Sequence, residues 1–187
     1  CPCCPRRPRA RCPDRTAPLD PGRRVPYRAG DMQVDSPPTP RTSGPEGLRI
    51  ERVSLDRYRE IQALNRILFG DDRVIFRLDR DDLLLLLAFV GDEAVGYKVG
   101  YRESATTFYS AKGGVLDAWR RMGVAKALLV RMEAEARRMG YARLAFDTFP
   151  NRHPGMTVLG LAEGFTVTAA GYNAAYRDYR IRFERDL

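Results

Sequence analysis

The sequence predicts an α/β domain: a mixed, mostly antiparallel twisted sheet with helices on both faces, over residues 47–187. Three observations predict it. Composition changes sharply near residue 46, so that one part of the chain can build a core and the other cannot. Short apolar or alternating runs bounded by turn residues recur along the second part, as strands do. Between them lie segments with helical apolar spacing, one of them about four turns long.

The first part is read as a disordered tail over residues 1–46. Of the 13 prolines, 11 fall in residues 1–45, together with all four cysteines, Cys1, Cys3, Cys4 and Cys12. Nine arginines against four acids give that stretch a net charge of +5, whereas the remainder, with 23 basic and 20 acidic residues, carries only +3. Such a segment buries too little apolar surface to offset the entropy of ordering it. The overall charge of +8 therefore says little about what the folded part binds. Nucleic-acid binding through these arginines is disfavoured against a solvated tail. The cysteines are crowded and separated by proline, unlike the two spaced pairs of a zinc site. Met32 reads as a more ordinary-looking start, so that residues 1–31 read either as an over-extended reading frame or as part of a truncated longer one.

The folded part contains no cysteine, which excludes a disulfide and a thiol nucleophile there. The longest apolar run, residues 83–90, has eight residues, well short of the roughly 18 that span a bilayer. No apolar core of a signal peptide opens the chain. A cytoplasmic protein is expected.

Residues 48–53 alternate apolar and charged side chains, as a half-buried strand does. Ser54 suits a helix N-cap, and Tyr58, Ile61, Leu64 and Leu68 follow at helical spacing until Gly70. Residues 71–82 read as a short helix or a loop. The run 83–90 reads as a buried strand and, across Gly91-Asp92, residues 94–101 as its hairpin partner. Residues 106–116 form a third strand, in which Gly113-Gly114 mark a bulge or a close backbone approach. From 123 to 139, Val124, Leu128, Met132, Ala136 and Met139 make one apolar helical face, closed by Gly140. A strand at 142–149, a short helix at 156–163 and strands at 165–168 and 178–183 complete the order.

One stretch carries chemistry. After the Gly113-Gly114-Val115 strand comes Arg120-Arg121-Met122-Gly123-Val124-Ala125-Lys126, opening the long helix. Small residues at Gly123 and Ala125 admit a ligand to the backbone. The helix start offers unpaired N–H groups and the positive end of its dipole, which suits a pyrophosphate. Arg120 and Arg121 add charge.

Here the sequence resembles the GNAT superfamily of N-acetyltransferases over most of residues 48–187. Arg120, Gly123 and Ala125 match its Gln/Arg-x-x-Gly-x-Gly/Ala signature. The context agrees: the preceding strand, the following Asp147-Thr148-Phe149, then Asn151, Met156 and Gly164-Phe165. The resemblance implies a V-shaped opening between the strands at 106–116 and 142–149, with the pantetheine arm of acetyl-CoA lying in it like an extra strand. It implies backbone groups of Val115 and Leu116 on that arm, one N–H polarising the thioester carbonyl. It further implies that residues 121–126 wrap the pyrophosphate and that Asn151 reaches in from the far side. No metal is implied. The activity implied is acyl-CoA-dependent N-acetyltransfer to a small-molecule or peptide amine by direct attack.

The family pattern breaks at Gly160, where many members carry a tyrosine as acid for the departing thiolate. Tyr172, Tyr176 and Tyr179 lie nearby in sequence, and Tyr176 is the substitute named. Glu103 and Asp147 are the candidate bases; Asp147 sits in a mostly apolar strand, either for structural hydrogen bonding or for a substrate amine. His153 reads as an exposed loop residue. Because of Gly160, a domain that binds acyl-CoA without turnover stays open as the alternative. A homodimer through the last strands also stays open.

Overall fold

The computed structural model describes residues 44–187. The expectations for the tail, for its cysteines and for Met32 lie outside the described residues. The elements are β1 (Leu48–Val53), α1 (Tyr58–Phe69), β2 (Leu84–Val90), β3 (Glu93–Arg102), β4 (Thr107–Val115), α2 (Val124–Arg138), β5 (Arg143–Thr148), α3 (Pro154–Ala162), β6 (Thr166–Asn173) and β7 (Asp178–Asp186). One seven-stranded sheet runs in the order β1-β2-β3-β4-β5-β7-β6. Every neighbouring pair is antiparallel except β4 and β5. That parallel pair needs a crossover connection, which α2 supplies.

The sheet is buried on both faces around its centre, which is why β2 reads as an unbroken apolar run. One core packs Ile61 and Leu64 of α1 against Leu85, Leu87, Tyr97 and Val99. The other packs Val124, Leu128, Leu129 and Met132 of α2 against Leu84, Leu86, Phe108, Leu144, Phe146 and Phe183. α3 joins this second face through Met156 and Leu159. Within the first core, Tyr97 donates its hydroxyl proton to Asn65 at 2.6 Å, so the one polar pair there is satisfied.

Residues 71–82 form a loop, one of the two forms expected of them, and three other local readings change. Ser54 precedes a short 3-10 turn, Leu55–Arg57, and makes no side-chain cap; α1 begins after it. α3 starts at Pro154, two residues earlier than its apolar pattern, because proline fits the first helical position. β6 and β7 run longer than the apolar pattern shows: they pair with each other through Asn173↔Asp178, and a paired edge strand needs no buried face.

The bulge in β4 lies at Ala111. Val99 pairs with Lys112 and Gly100 with Ser110, leaving Ala111 as the extra residue. Gly113 and Gly114 are instead sites of close approach. A Cβ on Gly113 would stand 2.8 Å from the Tyr97 carbonyl oxygen, and one on Gly114 2.7 Å from Leu68 Cδ1.

Gly160 is explained by packing. It is buried on α3, facing the stacked rings of Phe146 and Phe183, whose centroids lie 5.0 Å apart. A Cβ there would stand 2.8 Å from Phe146 Cζ. Gly160→Ala is expected to lower the unfolding free energy by about 1–3 kcal/mol through overpacking. The midpoint of denaturant unfolding checks this, and an unchanged midpoint would contradict it.

Candidate active site

β4 and β5 pair only through Thr107↔Arg143, Phe108↔Leu144 and Tyr109↔Ala145. Beyond Tyr109 they part, leaving residues 110–115 of β4 and 146–148 of β5 unpaired with each other in the middle of the sheet. The Ala111 bulge sits at the start of this parting and bends β4 away.

The direction of the freed backbone groups follows from one hydrogen bond. Leu116 N–H donates to the Val95 carbonyl on β3 at 2.9 Å. Alternation along the strand then turns the N–H groups of Val115 and Gly113 to the open edge. The Val115 carbonyl agrees, since it faces that edge and accepts from Arg120 Nε at 3.2 Å. This corrects the expectation for Leu116. Its N–H is taken by β3 and its carbonyl accepts from Trp119 N–H at 2.8 Å, so Leu116 has no free N–H to offer a ligand. Gly113 takes its place beside Val115. Counting back two residues from Val115 was the available signal.

At the wide end of the cleft stands the loop that opens α2. Arg121 has φ 60° and Gly123 φ 88°, so two residues of this turn are left-handed. A left-handed arginine is uncommon and strained. Such turns gather successive N–H groups into an anion-binding concavity. The N–H groups of Val124, Ala125 and Lys126 add to it, having no acceptor within the helix; the first helical bond runs from Ala127 to Gly123 at 2.9 Å. The side-chain charges differ from expectation. Arg120 is bound to Asp117 at 2.8 Å and Lys126 to Glu163 at 2.8 Å. Arg121 alone of the three has no carboxylate within 4 Å among the described residues. Met122 is an exposed residue of the same turn.

On the α1 face, at the vertex of the cleft, Asp147 meets Tyr109. The Tyr109 hydroxyl donates to Asp147 Oδ2 at 3.1 Å. Arg180 and Arg182 approach the carboxylate at 3.7 and 3.8 Å, too long for good hydrogen bonds. Asp147 Oδ1 is buried and accepts no hydrogen bond. A buried carboxylate oxygen with spare acceptor capacity is what an incoming amine requires. Burial, and then the neighbouring Asp147, push the Tyr109 phenol well above its ordinary range. Tyr109 escaped the sequence reading because an aromatic in a strand is ordinary.

The other expected residues do not join this centre. Both Glu103 oxygens accept from Arg182, one at 3.0 Å, so Glu103 holds Arg182 rather than a substrate. Tyr176 lies in the turn between β6 and β7, its ring 4.5 Å from that of Phe149. Tyr172 and Tyr179 pair with each other at 5.6 Å. The Asn151 amide donates to Asp178 Oδ1 at 2.6 Å. His153 is exposed as expected, yet its ring meets Phe69 edge-on at 6.0 Å. Partial burial, then Arg152 and Arg120, hold its pKa below the ordinary value.

A model of the acetyltransferase (GNAT) family matches residues 51–158. No curated protein matches the sequence. Among solved structures, a GNAT family acetyltransferase from Elizabethkingia anophelis with acetyl-CoA bound is 17% identical, with 76% of this chain and 99% of that one covered at a TM-score of 0.57. Arabidopsis thaliana Naa50 in complex with the bisubstrate analogue CoA-Ac-MVNAL is 18% identical, with 75% and 99% covered at 0.60. A GNAT family acetyltransferase from Streptococcus pneumoniae is 15% identical, with 75% and 99% covered at 0.63. These likenesses show the shared fold. No helix among the described residues is long and apolar enough to cross a membrane.

The buried phenols make stability fall in alkali. Tyr97 and Tyr109 are raised above their ordinary value mainly by burial. Both are neutral in either state below about pH 10, and above it the unfolded chain ionises first, so stability is lost as pH rises. Each phenol contributes a slope of up to about 1.4 kcal/mol per pH unit. Urea unfolding of wild type and Tyr109→Phe from pH 9 to 11.5 should show a shallower fall in the variant; parallel curves would contradict it.

Proposed function

This chain belongs to the GNAT family of acetyltransferases, and from that premise we propose that it moves an acetyl group from acetyl-CoA to a primary amine by direct attack on the thioester. The observation that carries this reading is the parting of β4 from β5 after three pairs. A pantetheine arm has amide groups along an extended chain and fits between two unsatisfied strand edges as a third strand. Val115 supplies an N–H and a carbonyl to it once Arg120 yields that carbonyl. Gly113 aims its N–H at the thioester oxygen, where negative charge develops as the amine attacks. The α2 turn from Arg121 to Lys126 takes the pyrophosphate.

Asp147 receives the acceptor. It binds the ammonium form, takes its proton directly or through a water and leaves a neutral amine to attack. Tyr109 fixes one carboxylate oxygen and leaves the other free. Arg182, held by Glu103 and by Glu184 at 2.7 Å, limits where that carboxylate can move. Positioning of amine and thioester then supplies much of the rate. The acceptor is a small amine or a peptide amine; the Naa50 complex with CoA-Ac-MVNAL is the neighbour that supports the latter.

A reading without turnover, in which the domain only binds acyl-CoA, draws on Gly160, since α3 offers no acid there. Release of free thiol from acetyl-CoA across an amine panel separates the two.

Acetyl-CoA at about 100 times its Kd is expected to stabilise the chain by roughly 2.7 kcal/mol. Gly123→Asp should abolish that shift, whereas Gly123→Asn should keep most of it. Both variants carry the same left-handed strain, which asparagine and aspartate tolerate better than most residues, so only the charge differs. Equal shifts in the two would sink the assignment of the pyrophosphate loop. Asp147→Asn should lower kcat by about 10²–10⁴-fold while acetyl-CoA still stabilises the protein; wild-type kcat would remove Asp147 from its role.

A further inference from the structure

Lys98 is the least expected residue in the core. It lies in the middle of β3, between Leu86 of β2 and Gly113 of β4, and only 7% of it is exposed. Tyr97 and Val99 on either side face α1, so Lys98 faces α2. A buried ammonium normally requires a carboxylate or several hydrogen bonds. Among the described residues Lys98 has neither a carboxylate within 4 Å nor a hydrogen-bond acceptor.

Its side chain leans on the cleft edge. Lys98 Cγ lies 3.2 Å from the position a Cβ on Gly113 would take, so glycine there leaves room for the lysine against β4. Gly113 is also the residue whose N–H faces the open edge. From the same face, Phe146 and Phe183 close the approach from α3 and fill the space beside Gly160. Among the described residues that face of the strands beside the cleft also carries the Ser110 and Thr148 hydroxyls, and Lys98 is the ammonium that lies against it across Gly113.

We propose that Lys98 is the acid that protonates the departing CoA thiolate, reaching the cleft across Gly113. The inference rests on the acetyltransfer reading of this site. As the amine nitrogen bonds to the carbonyl carbon, the carbon–sulfur bond breaks and sulfur leaves with the bonding pair. Sulfur takes a proton from the Lys98 ammonium and departs as free thiol. The acceptor gives up its protons to Asp147 and water, and Lys98 is reprotonated by water after the products leave. One proton is released overall for each ammonium acetylated.

The surroundings suit this role. Burial alone pushes the Lys98 ammonium down to about 8, close to the ordinary range of a thiol. No charged neighbour contributes. β2 presents Leu86 and β4 presents Gly113. α2 presents Val124, Leu128, Leu129 and Met132, while its acids Glu133 and Glu135 are engaged by Arg185 and by Arg52, Arg131 and Arg138.

The test is the pH dependence of kcat in the full chain, with acetyl-CoA and any amine that releases thiol. Wild-type kcat should fall as pH rises through about 8, where the acid form of Lys98 is lost. Lys98→Met should lower kcat about 10²-fold or more and remove that limb, while keeping the thermal shift with acetyl-CoA and an equal or higher melting temperature. Lys98→Arg keeps the charge but not a transferable proton, and should not restore the rate. The proposal is overturned by a wild-type profile flat to pH 9.5, by a limb that persists in Lys98→Met, or by full rescue with arginine. Should Lys98→Met fail to fold, the wild-type profile decides. If acetyl-CoA neither stabilises the protein nor releases thiol, the acetyltransfer reading itself fails, and Lys98 falls with it. Normal binding and turnover without the limb would overturn Lys98 alone.

Discussion

Two neighbouring strands in the middle of a sheet ordinarily satisfy each other's backbone groups along their whole length. In this protein β4 and β5 do so for three residues and then separate. An unpaired backbone group removed from water costs free energy comparable to a lost hydrogen bond, so the cleft between the strands is tolerable only if water or a ligand enters it. The rest of the structure keeps that gap open. The Ala111 bulge turns β4 outward, the crossover through α2 makes the central pair parallel, and β7 and β6 complete the sheet on the far side. This gap brings the free N–H groups of β4, the turn that opens α2 and the buried Asp147 carboxylate around one cleft.

Small residues around the gap have separate causes. Gly114 is small because α1 lies on it, Gly113 because β3 and the Lys98 side chain do, and Gly160 because two stacked rings do. The last case matters most for chemistry. An acid on α3 at that position would have to displace Phe146 and Phe183 from the core. The absence of a tyrosine there is therefore tied to how α3 packs, and the proposed reaction would draw its proton from elsewhere.

Much of the fold was legible in the sequence. β2 was visible as an unbroken apolar run and α2 from its four-residue spacing, with the turn that opens α2 marked by Gly123. Helix and strand ends drifted where local chemistry outweighed periodicity: Pro154 started α3 early, and β6, exposed along nearly its whole length, showed no alternation at all. The site was less legible, because its parts are set by register. Whether Leu116 or Gly113 faces the cleft depends on which N–H reaches Val95, and whether Glu103 is free depends on Arg182, 79 positions away in the chain. Asp147 stood out as a carboxylate in an apolar strand, but its partner Tyr109 lies across a strand boundary that only folding creates.

Acetyl-CoA is proposed to bind as the missing strand along the open edge of β4. Amide hydrogen exchange, resolved by residue with and without acetyl-CoA, addresses it directly. Exchange at Gly113 and Val115 is expected to slow on binding, while Leu116, already bonded to Val95, changes little. Unchanged exchange at Gly113 and Val115 in an acetyl-CoA complex would contradict it, and would place the ligand somewhere other than between β4 and β5.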